Sequence, residues 1–329
     1  MTKTNQQKVK DFLINNGVII VMFILVIYTG FTSDNFFTKN NFMNILMNMS
    51  SRLVIALGIA GCVITAGCDL SAGRMIGFGA CISGMLLQRM DYSGKFFPDM
   101  QPLNVFVVAL IAMLVCAAFG TVTGFFIAYL NVPPFIATLA MMEIVYGIGL
   151  IVTNATPLGG YVEQYTNVSN GKFLGINYLI WIAIIVAAIT WFIFNMTRHG
   201  KYMYAIGGNP QAAEVAGVPV KATLILIYMK AAAMYGLAGF MLGAKAGGAS
   251  VQTGYGYEME AIAACTIGGV SVTGGRGKVS SAIIGVAVFE LLKAALQYLG
   301  VDANAQYIAI GIVIFVAISL DIRKYVAKK

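Results

Sequence analysis

Ionisable side chains are rare enough in this 329-residue chain that each one set in an apolar run asks for a reason. In AGCDLSAGRMIGFG, residues 66–79, Asp69, Ser71 and Arg74 interrupt two apolar stretches. A charged side chain at mid-bilayer costs about 2.5–3.5 kcal/mol, so it is normally paired or faces a cavity. Asp69 and Arg74 could pair with each other, line a polar path with Ser71, or both sit at a membrane surface. Asn131 and Thr138, in NVPPFIATLA, are further candidates for such a path. Glu143, Lys230, Glu290 and Lys293 also fall inside apolar segments. Glu290 and Lys293 are three residues apart on one helix face and are expected to pair.

Other chemistries are weaker. The stretch GYEMEAIAACTIGGVSVTGGRGKVSSA, 256–282, invites a phosphate-loop reading around Gly277 and Lys278. The nucleotide motif then needs Gly where Val272 stands and Ser or Thr where Val279 stands. The chain is therefore not expected to bind ATP itself. Cys62, Cys68, Cys81, Cys116 and Cys265 have no metal-ligand spacing and read as small buried hydrophobes. His199 is the single histidine, which offers neither a metal site nor a buried proton switch. No nucleophile–base constellation survives inspection, so no enzymatic activity is expected.

The most structured polar stretch is AIGGNPQAAEVAGVPV, residues 205–220. Gly207 and Gly208 are expected to build turns, Asn209 is a good N-cap, and Pro210 suits the first helical position. Gln211 to Ala216, with Glu214 among small residues, gives under two turns. Gly217 supplies a left-handed stop and Pro219 prevents resumption. A helix this short is not stable alone in water, so it needs a surface to dock on. Arg198 and Lys201 stand at its approach, and Gly200 lies between them.

The elements that must hold these residues are membrane spans. The chain is 59% hydrophobic and only 10% charged, against about 25% charged in soluble domains, and its mean hydropathy is +0.82. At about 20 apolar residues per span, ten candidates run over 13–31, 42–66, 74–89, 103–130, 134–154, 178–196, 222–245, 258–273, 280–299 and 304–320. The fourth is long enough to tilt, and the eighth is short and glycine-rich enough to be broken. TGFTSDNFF is a poor processing site, so the first span is expected to be retained. With the N-terminus inside, thirteen of the 21 Lys and Arg lie on inner segments and six on outer ones, Lys230 and Lys293 being within spans. Both termini inside requires an even number of spans. The net charge of +8 reflects this loop bias rather than nucleic-acid binding. The fold class is thus an all-α polytopic membrane protein forming a single domain over 1–329, with a cytoplasmic loop at 197–221 and its longest outer loop at 155–177. Small residues at four-residue spacing, Gly73/Gly77, Gly120/Gly124 and Gly239/Gly243/Gly247, point to close packing within one bundle.

The motifs AIGGNPQAAEVAGV, DLSAGR, NVPPFIATLA and EAIAACTIGGVSVTGGRG resemble those of the membrane subunits of ribose-type ABC sugar importers, over essentially the whole chain. TAGCDLSAGR, MDYSGKFFPDM, YLGVDANAQYI and SLDIRKYVAKK are similar to the galactose/methyl-galactoside branch. The resemblance implies a ten-helix permease in the bacterial inner membrane, working with a second copy of itself. It implies two further partners, a cytoplasmic ATPase with two fused nucleotide-binding domains, which holds the ATP and Mg, and a periplasmic sugar-binding protein. It also implies that 207–217 is the helix that docks on the ATPase, with Arg198, Gly200, Gly207, Gly208, Asn209, Pro210, Gln211, Glu214 and Gly217 as the coupling residues. Tyr161, Tyr165, Tyr255 and Tyr257 are candidate contacts for the binding protein, being amphipathic residues expected at the membrane edge. Glu290 and Lys293 depart from the family's ninth span. The rival reading is a proton-coupled secondary sugar transporter, with Glu143 or Glu290 as its carboxylate.

Overall fold

The computed structural model describes residues 5–326. Lys3, Lys328 and Lys329, and the side chains of Lys8, Lys10, Arg323 and Lys324, lie outside the described residues, so their share of the charge bias is not placed. The helices are α1 (Asn5–Thr32), α2 (Lys39–Ile64), α3 (Ala72–Leu86), α4 (Val105–Tyr129), α5 (Pro134–Thr153), α6 (Glu163–Asn170), α7 (Tyr178–Met196), α8 (Arg198–Gly208), α9 (Pro210–Val215), α10 (Val220–Ala246), α11 (Tyr257–Gly268), α12 (Val279–Tyr298) and α13 (Ala303–Val326). Each of the ten apolar segments read from the sequence coincides with one of them. Among the described residues, six helices are long and apolar enough to cross a membrane: α2, α4, α5, α7, α10 and α12. α3 is shorter, at 15 residues, and α11 has only 12.

Local chemistry sets the ends. Thr38, Asn104 and Asn177 cap α2, α4 and α7 by accepting from the N–H groups of Asn41, Phe106 and Leu179. Pro134 opens α5 and left-handed Asn154 closes it. The long outer loop is not irregular: it holds α6 and a hairpin of β1 (Lys172–Phe173) and β2 (Ile176–Asn177), turned by Leu174 and Gly175, both at positive φ. In a two-residue loop this geometry matches the twist of the flanking strands.

α2, α3 and α10 form the buried centre, and α4, α5 and α7 expose broad apolar faces such as Phe106 and Ile151. The small-residue spacing works inside the bundle, as expected. A Cβ at Gly124 of α4 would lie 2.7 Å from Ile225 Cα of α10, and one at Gly239 of α10 would lie 2.7 Å from Ala80 N of α3. Lipid offers no hydrophobic drive between helices, so backbone approach supplies the contact.

The loops gather at two ends. At one, Leu158 and Ala249 exchange backbone hydrogen bonds (2.8 and 2.9 Å), and Arg89 N–H donates to Gly160 O (2.8 Å). At the other, Gly275 N–H donates to Ile64 O at 2.8 Å.

Candidate functional site

Two stretches of non-helical backbone adjoin α3, one preceding it and one packed along it. The first, 65–71, separates α2 from α3. Ala66 takes a left-handed φ of 57°, and Gly67 N–H donates back to Cys62 O. Asp69, only 1% exposed, holds the break: its carboxylate accepts from Ser71 N–H (3.0 Å), Ser71 Oγ (2.5 Å) and the Tyr235 hydroxyl of α10 (3.1 Å). Thr138 Oγ1 of α5 donates to Cys68 O at 3.3 Å. The second stretch, 247–256, leaves the end of α10 and runs back along α3. Its carbonyls at Val251 and Thr253 crowd Gly77, and that of Gly254 crowds Gly73, where a Cβ would come within 2.7–3.0 Å. Irregular backbone at membrane depth is tolerated only when buried in protein or lining a water-filled cavity.

Arg74 stands at their junction. It does not pair with Asp69, contrary to one expectation, because Asp69 turns inward to its own loop. Nor does either sit at a surface loop. The guanidinium lies 3.9 Å from the Tyr146 ring centroid and 4.4 Å from that of Tyr255. Its Nη1 donates to Gln252 Oε1 (2.7 Å), and Gln252 Nε2 donates to the Tyr146 hydroxyl (3.1 Å). Tyr255 is 60% exposed, so this cation–aromatic patch reaches the surface of the chain. Asn131 is not part of the site. It is an exposed turn residue at φ 53° between α4 and α5.

The 197–221 loop is two helices rather than one. Thr197 Oγ1 accepts from Gly200 N–H at 3.2 Å and starts α8, whose Met203 and Ile206 are buried. Gly207 and Gly208 thus end a helix and do not form the expected turns. The reason is packing: Gly207 abuts the Ile64 carbonyl so closely that no Cβ fits, and Gly200 likewise meets the Ile193 and Phe194 carbonyls. Tyr204 donates to Gly277 O (2.8 Å), tying α8 to the loop after α11. Asn209 Oδ1 accepts from Ala212 N–H at 3.0 Å, Pro210 opens α9, and Gly217 stops it at φ 83°. On α9 only Ala213 is buried; Gln211, Glu214 and Val215 are exposed, as are Arg198 and Gly208.

Comparison with known proteins decides the family. The model described as "Branched-chain amino acid transport system / permease component" matches residues 41–318, which include both breaks and both loop helices. The chain belongs to this permease family. The galactose/methyl galactoside import permease protein MglC of Escherichia coli (strain K12) is 39% identical over 336 residues, covering 100% of both chains. The protein of that name from Haemophilus influenzae (strain ATCC 51907 / DSM 11121 / KW20 / Rd) is 40% identical over the same share. The ribose import permease protein RbsC of E. coli (strain K12) is 32% identical over 319 residues and 96% of each chain. No solved structure matches. The resemblance read from the motifs is borne out, and the permease is a multi-pass membrane protein.

Two expectations for the permease need correction. Tyr161 and Tyr165 are buried and are not available as surface contacts. They are 6% and 0% exposed, and their hydroxyls donate to Leu158 O (3.2 Å) and Phe240 O (2.7 Å), locking the outer loop onto α10. Of the other two, Tyr255 covers Arg74 and Tyr257 lies under Arg52 at 4.8 Å. Glu290 and Lys293 do not pair with each other either. Glu290 is bonded to Arg52 of α2, and Lys293 reaches Glu260 of α11 at 2.6 Å. The partners missed in the sequence are Arg52, Glu260, Tyr146, Tyr235 and Gln252. For Arg52 a signal existed: Asn41, Asn44, Asn48 and Arg52 recur every three to four residues, a polar stripe on one face of α2.

Proposed function

We propose that the permease is the membrane-spanning subunit of a binding-protein-dependent ABC importer for a monosaccharide, galactose or methyl galactoside, in the bacterial inner membrane. Ten spans with both termini cytoplasmic agree with the Lys/Arg bias and with the gathering of alternate loops at opposite ends. Two copies would assemble with a cytoplasmic ATPase carrying two fused nucleotide-binding domains and receive sugar from a periplasmic binding protein. ATP and Mg act on the ATPase, and no cofactor is assigned to this chain. Asp69, Ser71, Arg74 and Thr138 would border the sugar's route, the first two and Thr138 by fixing the break that presents Arg74.

The observation that carries this reading is α9. It is a capped helix of six residues whose tip, Val215, is 91% exposed. An apolar knob on a stopped, polar helix has no partner among the described residues and fits a groove on another protein. ATP-driven closure of the ATPase pair would push on α9 and thereby on α8. The proton-coupled alternative is disfavoured by its carboxylates, since Glu290 is held by Arg52 and Glu143 lies exposed on the outside of α5.

Val215→Asp and Gly217→Val test the assignment. In detergent, Val215→Asp should lose co-purification of the ATPase while the permease itself stays folded. Gly217→Val, which strains a φ of 83°, should uncouple ATP hydrolysis from uptake in proteoliposomes. Unchanged ATPase assembly and uptake in both variants would overturn it, as would uptake by the permease alone.

A further inference from the structure

A separate cleft of about 820 Å³ opens between α2, α12 and α13, at the end of the molecule where α10 finishes. Its size falls within the roughly 300–1,000 Å³ of small-molecule sites. It is distinct from the Arg74 patch, because α11 divides the two. Glu258 of α11 packs on Gly73 of α3, whereas Tyr257 and Glu260 face the cleft.

The cleft's chemistry is specific. Asn44 and Asn48 form one wall on α2, and Gln297 and Gln306 form the facing wall on α12 and α13. The floor is the linked set Arg52–Glu290 and Lys293–Glu260, with Arg52 Nε also 3.5 Å from Glu260. Lys245 at the rim is held by Asn48 Oδ1. Amides turned toward lipid would be costly, so this surface is covered by water or a polar solute. The two cations and two carboxylates of the floor balance in charge, and the third cation, Lys245 at the rim, is engaged by the neutral Asn48 amide. What remains for a solute is the amides of Asn44 and Gln297 and the unused donors and acceptors of Asn48 and Gln306, which both donate and accept, next to a tyrosine ring. Hydroxyl groups also both donate and accept, so the lining fits a neutral molecule that carries many of them.

We infer that this cleft is a second solute site, which takes a neutral monosaccharide apart from the Arg74 route. Its ligand class rests on the lining; its place on the delivery side rests on the proposed import orientation.

The test uses the permease alone in nanodiscs, without ATPase or binding protein, with D-galactose and galacturonate as probes in saturation-transfer NMR and competition titrations. D-galactose should bind, and more tightly than galacturonate. Asn44→Leu combined with Gln297→Leu, both at exposed positions that leave the bundle intact, should weaken it about tenfold through the lost polar contacts. Gln252→Leu, at the Arg74 patch, should change binding less than about twofold. The inference is overturned if D-galactose does not bind, if galacturonate binds equally well, if the cleft variant binds like wild type, or if only Gln252→Leu weakens it. ATP-driven uptake by the complete transporter reads the import proposal separately. Uptake without cleft binding sinks the cleft alone, and cleft binding without ATP-driven uptake sinks the import reading alone.

Discussion

Replacing Arg52 by Met removes the cation that contacts Glu290, and the structure says how much that should cost. Glu290 is 3% exposed, and its Oε1 accepts from Arg52 Nη1. Lys293, one turn along α12, is turned to Glu260 and holds it at 2.6 Å. The variant therefore strands a buried carboxylate, a loss of about 3–5 kcal/mol. Arg52 also lies 3.5 Å from Glu260 and 4.8 Å from the Tyr257 ring centroid, which places the cost in the upper part of that range. Lys293→Met should cost only about 1 kcal/mol, because Glu260 keeps Arg52 and the pair is partly exposed, 17% and 15%. Arg52→Met with Glu290→Met removes both charges and should return to within about 1 kcal/mol of wild type. Denaturing-detergent titration of the purified permease, followed by the fluorescence of Trp181 and Trp191, measures all four proteins. If the double variant is as unstable as Arg52→Met alone, the reasoning fails, since an unpaired charge would not be the source of the loss. Equal losses for Arg52→Met and Lys293→Met would refute the ranking.

Gly124→Ala should destabilise by about 1–3 kcal/mol, because its Cβ would meet backbone at Ile225 Cα, 2.7 Å away, and α4 and α10 would have to separate. Gly147→Ala on α5 has nothing within 4 Å and should be neutral or slightly stabilising; equal effects in the same titration would dismiss backbone contact as the role of Gly124. His199, in α8 outside the spans, is pushed from 6.5 down to about 4, first by burial and then by the positive charge of Lys230. The unfolded chain takes up that proton at higher pH than the folded one, so this contribution is complete above pH 6.5 and is lost as pH falls toward about 4. Thermal unfolding in detergent between pH 7 and 4.5 should show a shallower acid loss for His199→Gln, and an identical slope would contradict the assignment.

What was legible in the sequence is what local hydropathy and local chemistry determine. All ten apolar segments became helices, and the stop at Gly217 and the cap at Asn209 stand where they were read. The small-residue spacing packs within the bundle. What was not legible depends on contacts far apart in the chain. Asp69 and Arg74 are close enough in sequence to suggest a pair, yet Asp69 is held by Ser71 of its own loop and by Tyr235, 166 positions away, and Arg74 by Gln252, 178 positions away. Glu290 and Lys293 share a helix face, but the stronger solution lies across to α2 and α11. Gly207 and Gly208 read as turns because glycine is a poor helix former in isolation. In the fold their helix is supported by buried Met203 and Ile206, and Gly207 is there for its small size. The tyrosines at 161 and 165 have an amphipathic shape that suits a membrane edge, and the same shape suits a buried ring with one bonded hydroxyl.

The two halves of the proposed function meet at Ile64. Its carbonyl accepts from Gly275 N–H and is pressed by Gly207 at the end of α8. The next residues, Thr65 and Ala66, begin the break that Asp69 holds and that Arg74 closes on the far side. A displacement of α9 therefore reaches the break through one backbone contact, with no flexible side chain between to absorb it. Glycine at 207 is the condition for that contact, since any Cβ would hold α8 away from α2. On the opposite side of α11, the Arg52–Glu290 and Lys293–Glu260 pairs tie α2, α11 and α12 together, so α2 is braced at its middle. A helix braced at its middle and pushed at its C-terminal end passes the push into the non-helical turn that follows it, 65–71.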